Sequence, residues 1–134
     1  MHTFLRVIYR IDARADGPAH ARRIVARELA AIVTPRTLEA LELMVSELVT
    51  NAVKYGATDP SDTVMLDLRV NDGVRCTVID RGPGFAERDL AAGDAAEGAA
   101  DAGGWGLKVV GWLADRWGVT RAREGTCVWF ETQG

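Results

Sequence analysis

Residues 64–80 read as a hairpin, and that hairpin limits the fold more than any other stretch of the chain. Val64, Leu66, Leu68 and Val70 alternate with Met65, Asp67 and Arg69; Asn71-Asp72-Gly73 then interrupts, and residues 74–80 return. A period of two places the apolar groups on one face of a strand. The Asn-Asp-Gly turn joins two such strands antiparallel. A half-buried pair of this kind needs a second layer over its apolar face.

The rest of the chain supplies candidates for that layer. Residues 3–11, rich in β-branched and aromatic side chains, form a further strand. Asp16-Gly17-Pro18 opens a helix whose buried stripe is Ile24, Val25, Leu29 and Ile32, with Arg22, Arg23 and Arg27 outside. Thr34-Pro35 is an N-cap followed by proline at the first helical position. The helix it opens carries residues 38–54 on an apolar face of Leu38, Leu41, Val45 and Ala52, and stops near Gly56. Leu107, Val110, Leu113 and Ala114 mark a third helix. Residues 117–123 and 126–132 are two more strands, joined through Glu124-Gly125. These elements predict an α+β fold: a two-layer sandwich of one mostly antiparallel sheet with helices on one face. With 134 residues, positions 1–134 form one domain, large enough to bury roughly two-thirds of its unfolded surface.

Composition excludes several classes of function. The net charge of −3 and the lack of a Lys/Arg cluster interleaved with aromatics argue against direct nucleic-acid binding. No apolar run is long enough to span a bilayer, and charges interrupt the N-terminus where a signal peptide would be apolar. A cytoplasmic protein is expected. Cys76 and Cys127 lack metal spacing and read as buried free thiols. Trp105, Trp112, Trp117 and Trp129 read as core or sheet-face residues, with Trp105 also open to a nucleotide or partner.

Five short features carry chemistry. Glu47, Asn51 and Lys54 stand at i, i+4 and i+7, on one helical stripe beside the apolar face. The apolar run Val78-Ile79 ends in Asp80-Arg81-Gly82-Pro83-Gly84, an acceptor followed by two alternate glycines that admit a ligand against backbone. Between Ala91 and Gly103 every residue is Ala, Gly, Asp or Glu, the composition of a mobile loop or a disordered insert. Gly104-Trp105-Gly106 opens the third helix, and Gly125-Thr126 opens the last strand. Each alone has an ordinary reading: a solvated helix face, a surface turn, a loop, a helix start. Their fixed order is what points to a nucleotide site.

In that order the features resemble the GHKL (Bergerat-fold) ATPase superfamily, which includes histidine kinases, gyrase-type topoisomerases and Hsp90-like chaperones. Size and detail are most similar to the anti-sigma factor serine/threonine kinases. The resemblance covers nearly the whole chain. Its N box is matched by Glu47, Asn51 and Lys54, the last standing where histidine or arginine is more frequent. Its Asp-x-Gly-x-Gly box is matched by Asp80, Gly82 and Gly84, its second glycine box by Gly104 and Gly106, and its terminal Gly-Thr by Gly125 and Thr126.

The resemblance implies a Bergerat ATP-binding fold holding ATP and Mg²⁺. It implies Asp80 as acceptor for the adenine amine, with Gly82 and Gly84 admitting the base and Thr126 supporting it. It implies Asn51 as the Mg²⁺ ligand and Glu47 as general base. Gly104, Gly106 and Leu107 would bring helix N-terminal amides to phosphate. Lys54 and Lys108 would be phosphate partners, with a solvated lysine as the alternative at Lys108. Residues 86–103 would be an ATP lid. The function implied is phosphorylation of an antagonist (anti-anti-sigma-like) protein, with switching to a sigma factor; homodimerisation is a further expectation. The alternative is a nucleotide-dependent partner-binding module without phosphotransfer.

Overall fold

The structure, a computed structural model, describes residues 4–56, 62–80, 105–122 and 125–133. Strand β1 (Leu5–Asp12) is followed by helices α1 (Gly17–Leu29) and α2 (Pro35–Asn51), the latter running into a π-helical turn, Ala52–Gly56. The hairpin β2 (Thr63–Asn71) and β3 (Gly73–Asp80) comes next, then α3 (Trp105–Leu113), β4 (Arg116–Ala122) and β5 (Gly125–Thr132). The five strands form one sheet in the order β1-β2-β3-β5-β4, antiparallel at every junction. The fold is α+β, an antiparallel sheet with three α-helices among the described residues, as the alternation and caps predict.

Local chemistry accounts for the boundaries. Thr34 is extended (φ −70°, ψ 157°) and its hydroxyl accepts the Thr37 amide at 3.2 Å, one of the donors a helix start leaves over. Thr34→Ala is expected to cost about 1 kcal/mol, lowering the thermal midpoint by a few degrees in a denaturation scan. Asp16 precedes α1 but makes no capping bond with its side chain. Instead α1 starts in close contact: a Cβ on Gly17 would lie 2.9 Å from the Asp12 carbonyl and 3.5 Å from Val49. In the hairpin Asn71 and Gly73 are register partners, and Asp72 at the tip takes φ 73°. Asp tolerates that left-handed region better than most residues.

The core lies between the helices and one face of the sheet. Ala21, Ile24, Val25 and Leu29 of α1 and Leu41, Met44, Val45, Leu48 and Val49 of α2 meet Ile11, Val64, Leu66, Leu68, Cys76, Val78, Val128 and Phe130. Each fully buried large aliphatic or aromatic side chain contributes roughly 1.5–3 kcal/mol. Ile32 departs from the expected stripe: α1 ends at Leu29, so Ile32 falls beyond the helix and is 36% exposed. Trp112 also departs from a core placement and is 69% exposed on α3. Both cysteines are free, Cys76 buried and Cys127 half-buried. Cys76 pairs with Phe130 on the helix side, whereas Cys127 pairs with Ile79 on the opposite face, so the sheet separates them. Burial pushes the Cys76 thiol far above its ordinary range, which leaves it inert.

On the face turned away from the helices, the Trp129 indole lies across Gly118, its register partner. A Cβ at Gly118 would approach the indole to 2.9 Å. Gly118→Val should therefore displace Trp129 and cost about 1–3 kcal/mol, seen as a lower denaturant midpoint. None of the described helices is long and apolar enough to cross a membrane.

Candidate functional site

Three buried polar side chains interrupt the helix-facing side of the sheet and the end of α2. Along β3 the inward positions run Val74, Cys76, Val78 and then Asp80, so an apolar stripe ends in a carboxylate that is 4% exposed. Directly across the ladder stands Thr126, 1% exposed. Asn51, the last residue of α2, is 4% exposed, and the π-helical turn that follows it contacts β3. A buried polar group is costly unless hydrogen-bonded, and native interiors leave few such groups unsatisfied. Here Asn51 Nδ2 and Thr126 Oγ1 are both buried with no hydrogen-bond partner among the described residues. Atoms of this kind are what a bound polar ligand satisfies.

The neighbouring hydroxyls of α2 behave differently. Ser46 donates to the Leu43 carbonyl at 2.9 Å and Thr50 to the Ser46 carbonyl at 2.7 Å. Both are satisfied by their own helix, leaving Asn51 as the buried polar side chain of that segment with a donor to spare. Such back-bonding loosens a helix, and the π-helical turn begins directly after it. A π turn advances fewer degrees per residue than an α turn. The π turn therefore widens the single stripe expected for Glu47, Asn51 and Lys54. Glu47 is half-buried one α turn before the buried Asn51, and Lys54 is exposed within the π turn. The sequence reading did not anticipate this turn.

Helix α3 packs against α2. Leu107 is fully buried in the core and anchors α3, while Lys108 is exposed. Gly106 and Leu107 lie in the first turn of α3, where backbone amides have no intrahelical acceptor. Gly82, Gly84, Gly104 and the proposed lid at 86–103 lie outside the described residues.

The donor set suits a purine nucleotide and a hard cation. A buried carboxylate accepts from an amino group, a hydroxyl beside it both donates and accepts, and an amide oxygen ligates Mg²⁺. Among the described residues no three His, Cys, Asp or Glu side chains cluster as a metal site. Mg²⁺ is commonly held by one or two protein oxygens together with phosphate oxygens and water, a set that the Asn51 amide oxygen would fit.

Residues 11–132 match the family described as the histidine kinase-like ATPase domain. The comparison with curated proteins finds no match. Among solved structures, the crystal structure of the RsbU and RsbW domains of Rv1364c from Mycobacterium tuberculosis is similar, with TM-score 0.70 and 22% identity. The likeness covers 96% of this chain and 32% of that one, so the chain spans about a third of that protein's length. At this identity the similarity speaks for the fold.

Proposed function

Because this chain belongs to the histidine kinase-like ATPase domain family, we propose that it binds ATP with Mg²⁺ and acts as an anti-sigma-factor-like serine/threonine protein kinase. Its substrate would be an antagonist protein, and nucleotide state would decide whether it holds that antagonist or a sigma factor. The observation that carries the reading is the buried Asp80–Thr126 pair together with the buried Asn51, whose Nδ2 has no hydrogen-bond partner among the described residues and would donate to a phosphate oxygen, leaving Oδ1 for the ion. Asp80 would hold the adenine amine, which guanine lacks at that position, and Thr126 would fix the ring beside it. Asn51 would hold the metal, and the amides of Gly106 and Leu107, with Lys108 or Lys54, would neutralise phosphate charge.

ATP when bound supplies the phosphoryl group, and transfer of that group depends chiefly on positioning and charge neutralisation. Glu47 would take the proton from the attacking serine hydroxyl. It sits half-buried one helical turn before Asn51, so the α-helix they share sets the spacing of base and metal ligand. The partner-switching role is what the resemblance of the motifs to anti-sigma factor kinases implies, and the fold shared with the structure of RsbU and RsbW domains is compatible with it. Incubation with radiolabelled ATP, Mg²⁺ and a candidate antagonist is the test. Label on an antagonist serine is expected. Binding of ATP without transfer to any antagonist would leave the alternative, a nucleotide-dependent binding module.

A further inference from the structure

A second surface lies on the sheet face turned away from the helices, and it is independent of the nucleotide reading. The register aligns Arg6 with Arg69, Arg69 with Arg75, Arg75 with Glu131, and Glu131 with Arg116. One row across all five strands thus holds four arginines and a single acid. Like charges directly opposite one another destabilise a sheet, so folding alone does not favour Arg6, Arg69 and Arg75 in a line. Among the described residues the charge is only partly offset. Glu131 is shared between Arg75 at 2.7 Å and Arg116 at 3.1 Å. Asp67, in the next row, is shared between Arg6 at 3.3 Å and Arg69 at 3.5 Å. Among the described residues four guanidiniums face two carboxylates, and every one of the four side chains stays at least 38% exposed.

We propose that this row is a docking surface for an acidic segment of a partner protein. Two concavities of about 280 Å³ each adjoin Arg69, one lined also by Arg75 and Glu131 and the other by Phe4 and Arg6. Phe4, 71% exposed, offers an apolar contact at the row's end. Guanidinium groups pair bidentately with carboxylates, and the row is about 19 Å long, four interstrand spacings. Nucleic acid fits less well. Arg75 lies 4.2 Å from the Trp129 ring centroid and covers the face on which a base would stack. A second copy stacked row against row would set arginine against arginine.

The test is fluorescence anisotropy with a labelled polyglutamate peptide of about twelve residues, long enough to cross the row as helix or strand. Arg69→Glu with Arg75→Glu should weaken binding by about tenfold or more. Arg22→Glu with Arg23→Glu makes the same net charge change on the exposed side of α1 and should alter it by no more than about twofold. Circular dichroism checks folding. If the reversed pair does not fold, Arg69→Gln with Arg75→Gln should show a smaller loss in the same direction. Equal loss in both charge-reversed pairs would mean that the peptide follows net charge, and the proposal fails. It fails also if single-stranded oligothymidylate binds more tightly than the peptide. A dimer that dissolves on reversing Arg69 and Arg75, with peptide affinity unchanged, would assign the face to a second copy and overturn it as well.

Discussion

Asp80→Asn is expected to weaken ATP binding by about ten- to a hundredfold, and titration calorimetry with ATP·Mg²⁺ measures it directly. Asp80 closes an otherwise apolar stripe of β3 and is 4% exposed, with Thr126 opposite it. An ionised carboxylate at that depth is tolerated where donors surround it, and the adenine exocyclic amine is such a donor. An amide of the same shape can turn its own NH₂ toward the base and lose the bond. A hydrogen bond to a charged group in a buried site is worth roughly 1.5–3 kcal/mol, which gives the fold-change. The same reasoning predicts that GTP, with a carbonyl oxygen where adenine has its amine, binds the wild-type protein far more weakly. Coinciding titration curves for ATP and GTP would remove Asp80 from this role. Thermal shift gives an independent readout, since a ligand that binds only the folded state raises the midpoint with concentration.

The hairpin and the cap of α2 could be read from the sequence because their determinants are local. Period-two alternation, Asn71-Asp72-Gly73 and Thr34-Pro35 each act within a few residues, and each appears where expected. What could not be read depends on which strands become neighbours. β5 inserts between β3 and β4, and this alone sets Thr126 against Asp80. The terminal Gly-Thr could be connected to Asp80 beforehand only through family resemblance. Asp67 is a second case. Alternation assigns it to the outer face, where a carboxylate is normally solvated, yet it is 7% exposed because Arg6 and Arg69 reach over it. The arginine row is invisible for the same reason, its members being scattered from position 6 to position 116. Ile32 shows the opposite failure: helical periodicity in the sequence ran on after the helix itself had ended at Leu29.

Glu47→Ala should leave ATP affinity nearly unchanged while removing phosphotransfer to an antagonist. A general base acts on the proton lost in the transition state, so its removal lowers the chemical rate and spares ground-state binding. Loss of a positioned base typically costs about a hundred- to ten-thousandfold, enough to abolish detectable labelling in a short incubation. The helix makes the comparison clean. Glu47 and Asn51 lie one turn apart on the same regular part of α2, before the π-helical turn begins at Ala52, so neither substitution removes a cap. Their environments nevertheless differ: Glu47 is half-buried and Asn51 is 4% exposed with Nδ2 unsatisfied among the described residues. Because its amide oxygen would ligate the ion, its loss in Asn51→Ala should abolish the Mg²⁺-dependent part of ATP binding as well as transfer. Calorimetry on both variants, with and without Mg²⁺, separates the two effects. Should Glu47→Ala reduce ATP affinity as much as Asn51→Ala does, Glu47 is a binding or structural residue, and the kinase proposal loses its base.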